Sequence, residues 1–113
     1  MDHVFLCSLL DAYGELLTEK QRSIVEQSVC EDYSLSEIAE REGISRQGVR
    51  DTLKRAVEQL VRYETLLGVV AQGEKLANTV GEIAKLIEKS DMSAEVRENI
   101  LALLGGLTGG SEE

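Results

Sequence analysis

Residues 34–60 read SLSEIAEREGISRQGVRDTLKRAVEQL, and the spacing within this stretch decides the fold. Ser34-Leu35-Ser36-Glu37 is a capping-box pattern, in which a serine and a glutamate three residues apart satisfy each other's free backbone N–H groups. It opens a short helix with Leu35, Ile38 and Ala39 turned inward. Gly43 suits the left-handed backbone of a sharp turn, and Ser45 two residues later caps the next helix. From Arg46 the inward series Val49, Leu53, Ala56 (or Val57) and Leu60 keeps helical spacing. Two short helices crossing steeply need a small residue at their approach, a turn tolerant of positive φ, and apolar side chains to lock them. Ala39, Gly43 and the set Ile38, Ile44, Val49 and Leu53 meet those needs in order, so a helix-turn-helix over Leu35–Leu60 is expected.

With Val49 and Leu53 inward, positions 46, 47, 50, 51 and 54 project outward from the second helix. Arg46, Gln47 and Arg50 there can reach base edges or phosphates in a major groove, since arginine pairs with guanine acceptors and glutamine with adenine. Lys54 and Arg55 suit phosphates. Asp51 either reads a cytosine amino group or pairs with a neighbouring arginine. Gly48 costs roughly 1 kcal/mol in helix propensity and takes a side chain away from the contact surface.

Helical periodicity extends outward from this motif. Val4, Leu6, Leu9, Leu10, Tyr13, Leu16 and Leu17 lie at spacings of three and four. Thr18 and Gln21 form a second capping box, opening a helix with Ile24, Val25, Ser28 and Val29 on one side, which ends near Cys30. Past Leu60, Tyr63, Leu67 and Val70 continue the recognition-helix stripe. Leu76, Val80, Ile83 and Ile87 start a new series, so Gly68 to Gly73 marks a bend or break. A last helix over Ala94–Leu104 starts from Ser93, and GGLTGGSEE has the composition of a flexible tail. The chain of 113 residues has no proline, and its helix-forming composition points to an all-α protein. The expected organisation is a helix-turn-helix domain at 1–67, a C-terminal pair of amphipathic helices at 68–104, and a tail at 105–113. The C-terminal stripe has two readings. Its helices fold back on the first helix, or they join two copies; the homodimer is preferred because a two-fold protein matches two half-sites on DNA.

The net charge of −9 argues against general affinity for nucleic acid. Its distribution matters more: residues 1–33 hold seven acids and two bases, residues 34–60 five of each, and residues 61–113 nine acids and five bases. The helix-turn-helix is the least acidic part. Cys7 and Cys30 make no CxxC pair and His3 stands alone, so buried reduced thiols, no metal and no cofactor are expected. Glu37, Glu40 and Glu42 spread around a short helix with no nucleophile beside them, and no catalytic role is assigned to any residue. No stretch approaches a membrane span and the N-terminus reads as too polar for a signal peptide, so a cytoplasmic protein is expected.

The run LTEKQRSIVEQSVCEDYSLSEIAEREGISRQGVRDTLKRAVEQL resembles region 4 of bacterial sigma factors, the part that reads the −35 promoter element. LLDAYGELLTEKQR, DYSLSEIAE and SRQGVRDTLKR with Tyr63-Glu64 after it are more closely similar to the YlxM family of small helix-turn-helix proteins. The resemblance covers about residues 5–67. It implies a sigma-region-4-like fold with an added C-terminal helical region, and nucleic-acid binding through Arg46, Gln47, Arg50, Asp51 and Lys54. It also implies a regulatory role in the signal recognition particle pathway, by gene neighbourhood. The alternative is a protein-interaction module that contacts a signal recognition particle component or RNA polymerase without binding nucleic acid.

Overall fold

The computed structural model describes residues 2–108, and these form six α-helices with no strand among them. They are α1 (His3–Tyr13), α2 (Glu19–Val25), α3 (Leu35–Glu42), α4 (Arg46–Leu67), α5 (Val69–Glu88) and α6 (Ala94–Leu107). The chain divides between Val70 and Ala71 into two compact units, three residues beyond the boundary expected from the glycine.

Local chemistry starts four of the helices. Thr18 Oγ1 accepts from Gln21 N while Gln21 Oε1 accepts from Thr18 N, both at 3.1 Å. Ser34 and Glu37 repeat this reciprocal pair at 3.1 and 2.9 Å. Ser45 Oγ accepts from Gly48 N, and Ser93 Oγ from Val96 N. Each hydroxyl satisfies an amide that has no partner inside its own helix.

The first unit has two adjoining cores. Leu9, Leu10, Tyr13 and Leu17 pack with Val25, Val29, Ala56 and Leu60. Ile24, Ile38, Ala39 and Val49 form the second, and Leu53 packs against both. Of the two inward candidates on α4, Ala56 is fully buried and Val57 only partly so. The stripe beyond Leu60 is used within the first unit at Tyr63 and Val70, both of which pack on its larger core, with the Tyr63 ring 5.9 Å from that of Tyr13. Leu67 is exposed. Gly68 ends α4 with φ +65°, and α5 follows at once. Tyr13 Oη accepts from Val69 N and donates to Glu64 Oε1 at 2.6 Å, and Glu64 Oε1 also accepts from Val70 N. The first amides of α5 therefore have partners.

The end of the second helix departs from expectation. After Val25 the backbone widens into a π-helical turn over Glu26–Cys30, closed by Glu31 N on Glu26 O. This widening changes which side chains face inward. Ser28, expected inside, is half-buried, whereas Gln27 is 5% exposed. Gln27 Nε2 donates to Glu42 Oε2 at 2.7 Å and to Ser23 Oγ at 3.1 Å, and its Oε1 accepts from Arg41 Nε at 3.0 Å. One buried amide thus ties α2 and its π turn to α3.

Cys30 also departs: as the last residue of the π turn it is exposed rather than buried, while Cys7 packs half-buried on the larger core. Desolvation of its sulfur, then the Cys7 thiol beside it, then the Glu26 and Asp11 carboxylates push the Cys30 thiol up.

In the second unit, Ile87 is buried, and the Arg97 guanidinium donates to the carbonyls of Ser90 and Met92 in the turn between α5 and α6. Leu76 and Ile83, one heptad apart, are 39% and 38% exposed. The last helix runs through Gly105 and Gly106 to Leu107, past the expected start of the tail. Each glycine costs about 1 kcal/mol there, but extending an existing helix adds a bond per residue fixed. Residues 109–113 of the expected tail lie outside the described residues. Among the described residues no helix is long and apolar enough to cross a membrane.

Candidate nucleic-acid interface

The geometry of the interface begins at the turn. Gly43 adopts φ +72°, and both its own N–H and that of Ile44 bond back to Ala39 O, at 2.9 and 3.1 Å. This closes α3 where Ala39 is small and buried. Ile44 then packs beside Ile38 and Val49, which fixes the start of α4 relative to α3.

Gly48 has a packing reason that its sequence context does not reveal. A Cβ on it would stand 3.3 Å from Ser45 Oγ, the cap acceptor, and 3.6 Å from Ile44 Cδ1. The residue faces the turn, half-buried, and not the surface on which Arg46 and Arg50 stand. Its missing side chain is therefore not missing from that surface.

On α4 the residues Arg46, Gln47, Arg50, Asp51, Lys54 and Arg55 are all exposed. Arg46, Arg50 and Lys54 stand at i, i+4 and i+8, a row that drifts only about 40° per step and spans about 12 Å along the axis, comparable with the roughly 12 Å width of a B-form major groove. Neither these three nor Arg55 makes an ion pair among the described residues, whereas Arg22 is paired with Glu26 at 3.3 Å. Asp51 lies in sequence beside three of the cations but accepts from Gln47 Nε2 at 3.0 Å instead of from an arginine. Arg55 stands off the row, lining a shallow groove of about 540 Å³ with Gln21, Glu58, Gln59 and Arg62. The arrangement offers three unneutralised cations and one oriented amide on a single helical face, flanked by Arg55.

The chain matches over residues 2–100 the model of a family described as "putative helix-turn-helix protein, YlxM / p13 like". The chain belongs to this family. Among its YlxM / p13-like relatives, the UPF0122 protein of Thermoanaerobacter sp. is 49% identical over 87 residues, 77% of this chain and 74% of that protein. The UPF0122 protein of Clostridium kluyveri is 41% identical over 101 residues, 88% and 91% of the two chains. That of Symbiobacterium thermophilum is 38% identical over 89 residues, 79% and 83%. The YlxM / p13-like match runs well past residue 67, so it takes in most of the C-terminal helices as well as the helix-turn-helix.

Two contributors to the site lie outside what the spacing reveals. Gln27 positions α3 from the π turn that follows α2, and its only signal is a glutamine next to an inward stripe. Glu42, one of the three carboxylates spread around α3, is held by Gln27 and Ser23. Its position one residue before the turn glycine is the trace that sequence offers.

Proposed function

We propose that this YlxM / p13-like protein is a non-enzymatic, cytoplasmic regulatory protein that binds duplex nucleic acid by laying the first turns of α4 in a major groove, in the manner of sigma factor region 4. Arg46, Gln47 and Arg50 meet base edges or nearby phosphates, Lys54 and Arg55 meet phosphates, and Asp51 acts on its neighbours. The observation that carries this reading is the exposed row Arg46, Arg50 and Lys54, free of ion pairs on a helix fixed by the turn at Gly43. The exposed Leu76 and Ile83 support a homodimer through the C-terminal helices, which would present two such α4 helices to two half-sites. Light scattering of the full chain, and of Leu76→Asp/Ile83→Asp, tests that part. A monomeric wild type refutes it.

Anisotropy titration of labelled duplex DNA and of signal recognition particle RNA at 50 and 200 mM salt tests the main reading. If the four cations at 46, 50, 54 and 55 take phosphates, affinity falls about 150-fold across that range, and only about 12-fold in Arg46→Ala/Arg50→Ala. No binding to either nucleic acid at the lower salt refutes it. A second reading is a protein-interaction module, acting on a signal recognition particle component or RNA polymerase. The net charge of −9 favours it, since acids outside α4 would suit a basic partner.

A further inference from the structure

We propose that Asp51 is the positioning residue for Gln47, and that together they set a preference for adenine at one base pair of the bound duplex. This rests on the reading of α4 as the groove-entering helix. An ionised carboxylate only accepts hydrogen bonds, so the 3.0 Å contact between Gln47 and Asp51 Oδ1 requires that the amide nitrogen face Asp51. One of the two Nε2 hydrogens is thereby engaged. When that hydrogen is the one anti to Oε1, the other hydrogen and the Oε1 acceptor stand side by side, one donor next to one acceptor.

That pair complements the major-groove edge of adenine, whose N7 accepts and whose N6 amino group donates. Guanine presents two acceptors there, N7 and O6, and a glutamine free of Asp51 could meet both with its two Nε2 hydrogens. The bond to Asp51 removes that option and also sets a carboxylate near the guanine acceptors. Asp51 thus selects against guanine as well as orienting the amide for adenine.

The surroundings of Asp51 bear on the same point. An acid in the first two turns of a basic face weakens phosphate binding, and Asp51 is not taken up by Arg50, Lys54 or Arg55, none of which pairs with it. A bond within one helix at i, i+4 also lends a little helix stability. The two roles separate by experiment, because helix stabilisation alone leaves base preference unchanged.

The test is selection from a randomised duplex library with the full chain, followed by affinities for the selected and a scrambled duplex, for wild type, Gln47→Ala, Asp51→Ala and Asp51→Asn. Wild type is expected to show one position with about tenfold preference for adenine. Gln47→Ala flattens that position. Asp51→Ala admits guanine there while binding the scrambled duplex about threefold more tightly at low salt. Loss of preference with gain of general affinity is a combination that unfolding cannot produce. Asp51→Asn, whose carbonyl still accepts from Nε2, retains the preference for adenine. In the free protein, the Gln47 side-chain amide resonances move in Asp51→Ala and stay near their wild-type positions in Asp51→Asn. The proposal is overturned if Asp51→Ala keeps the wild-type base preference, or if wild type binds all duplexes with a steep salt dependence and no adenine position; the second result leaves the groove-binding reading standing. No binding to any duplex overturns both.

Discussion

Replacing Gln27 by methionine keeps the volume of the side chain and removes its hydrogen bonds, and the expected loss of stability follows from the surroundings. Three bonds disappear, two of them to the charged groups Glu42 and Arg41 and one to Ser23. Bonds to charged groups contribute about 1.5–3 kcal/mol when buried. Here Arg41 is exposed and retains its position 4.7 Å over the Tyr33 ring, and half-buried Glu42 retains Ser23. Both partners can recover water, which brings each of the two bonds to about 1 kcal/mol and the neutral one to about 0.5–1 kcal/mol. A buried methionine gains back part of this through transfer of its apolar surface. The net cost is about 2 kcal/mol, or about 8–16 °C in Tm for a cooperative unit of this size. All three tyrosines, at 13, 33 and 63, lie in the first unit, so tyrosine fluorescence during urea unfolding of the full chain reports on that unit alone. The midpoint should fall by about 1 M with an unchanged slope. A double-mutant cycle with Glu42→Gln should return a coupling of about 1 kcal/mol. A midpoint shift below about 0.3 M would refute the claim that this amide holds α3 to α2.

Other perturbations have equally definite outcomes. Gly43→Ala forces an alanine to φ +72° and should cost about 1 kcal/mol by denaturant unfolding, while Gly43→Asn, which tolerates that region better, should cost less. Desolvation, then the bond to the Glu64 carboxylate, raise the Tyr13 phenol above its ordinary value of 10.0. The folded state thus holds this proton more tightly than the unfolded chain: the contribution is complete below pH 10 and is lost as pH rises through the folded value. Alkaline unfolding curves of wild type should converge towards those of Tyr13→Phe above pH 10; parallel curves would contradict the assignment. Cys30, exposed but with its thiol pushed up, should react with an aromatic disulfide reagent at pH 8 more slowly than the same thiol in urea, and faster in Cys7→Ala or Glu26→Gln than in wild type.

What could be read from sequence was the part specified over three or four residues. The caps at Thr18, Ser34, Ser45 and Ser93, the turn at Gly43 and the inward positions Val49, Ala56 and Leu60 each depend on spacing within one or two helical turns. Gln27 was not legible because its partners Arg41 and Glu42 lie 14 and 15 residues away, and a glutamine by itself is an ordinary surface residue. The exposure of Cys30 follows from the same π turn, which no 3.6-residue periodicity announces. By spacing Gly48 reads as a gap in the contact surface, but its Cβ position faces the capping hydroxyl of Ser45 and the Ile44 side chain, at 3.3 and 3.6 Å. In α6, the glycines at 105 and 106 marked a stop by propensity, yet the helix passes through them.

The charge balance illustrates how a count can conceal an arrangement. Residues 34–60 hold five acids and five bases, which sum to zero. Three of those acids are committed to neighbours: Glu37 to the cap of α3, Glu42 to Gln27 and Ser23, and Asp51 to Gln47. Of the five bases only Arg41 is engaged, by Gln27 and the Tyr33 ring, and it lies before the turn. The four on α4 remain open to solvent. At 0.1 M salt a charge is screened beyond about 10 Å, so an approaching polyanion responds to the row on α4, and to Asp51 and Glu58 in one groove with Lys54 and Arg55, more than to acids beyond that range. Lower salt extends the reach of those acids as well as that of the row. An acidic chain of this kind should therefore bind nucleic acid with a salt slope shallower than its contact count implies when the range is extended below about 0.01 M, where the screening length grows to about 30 Å and the whole net charge begins to oppose association.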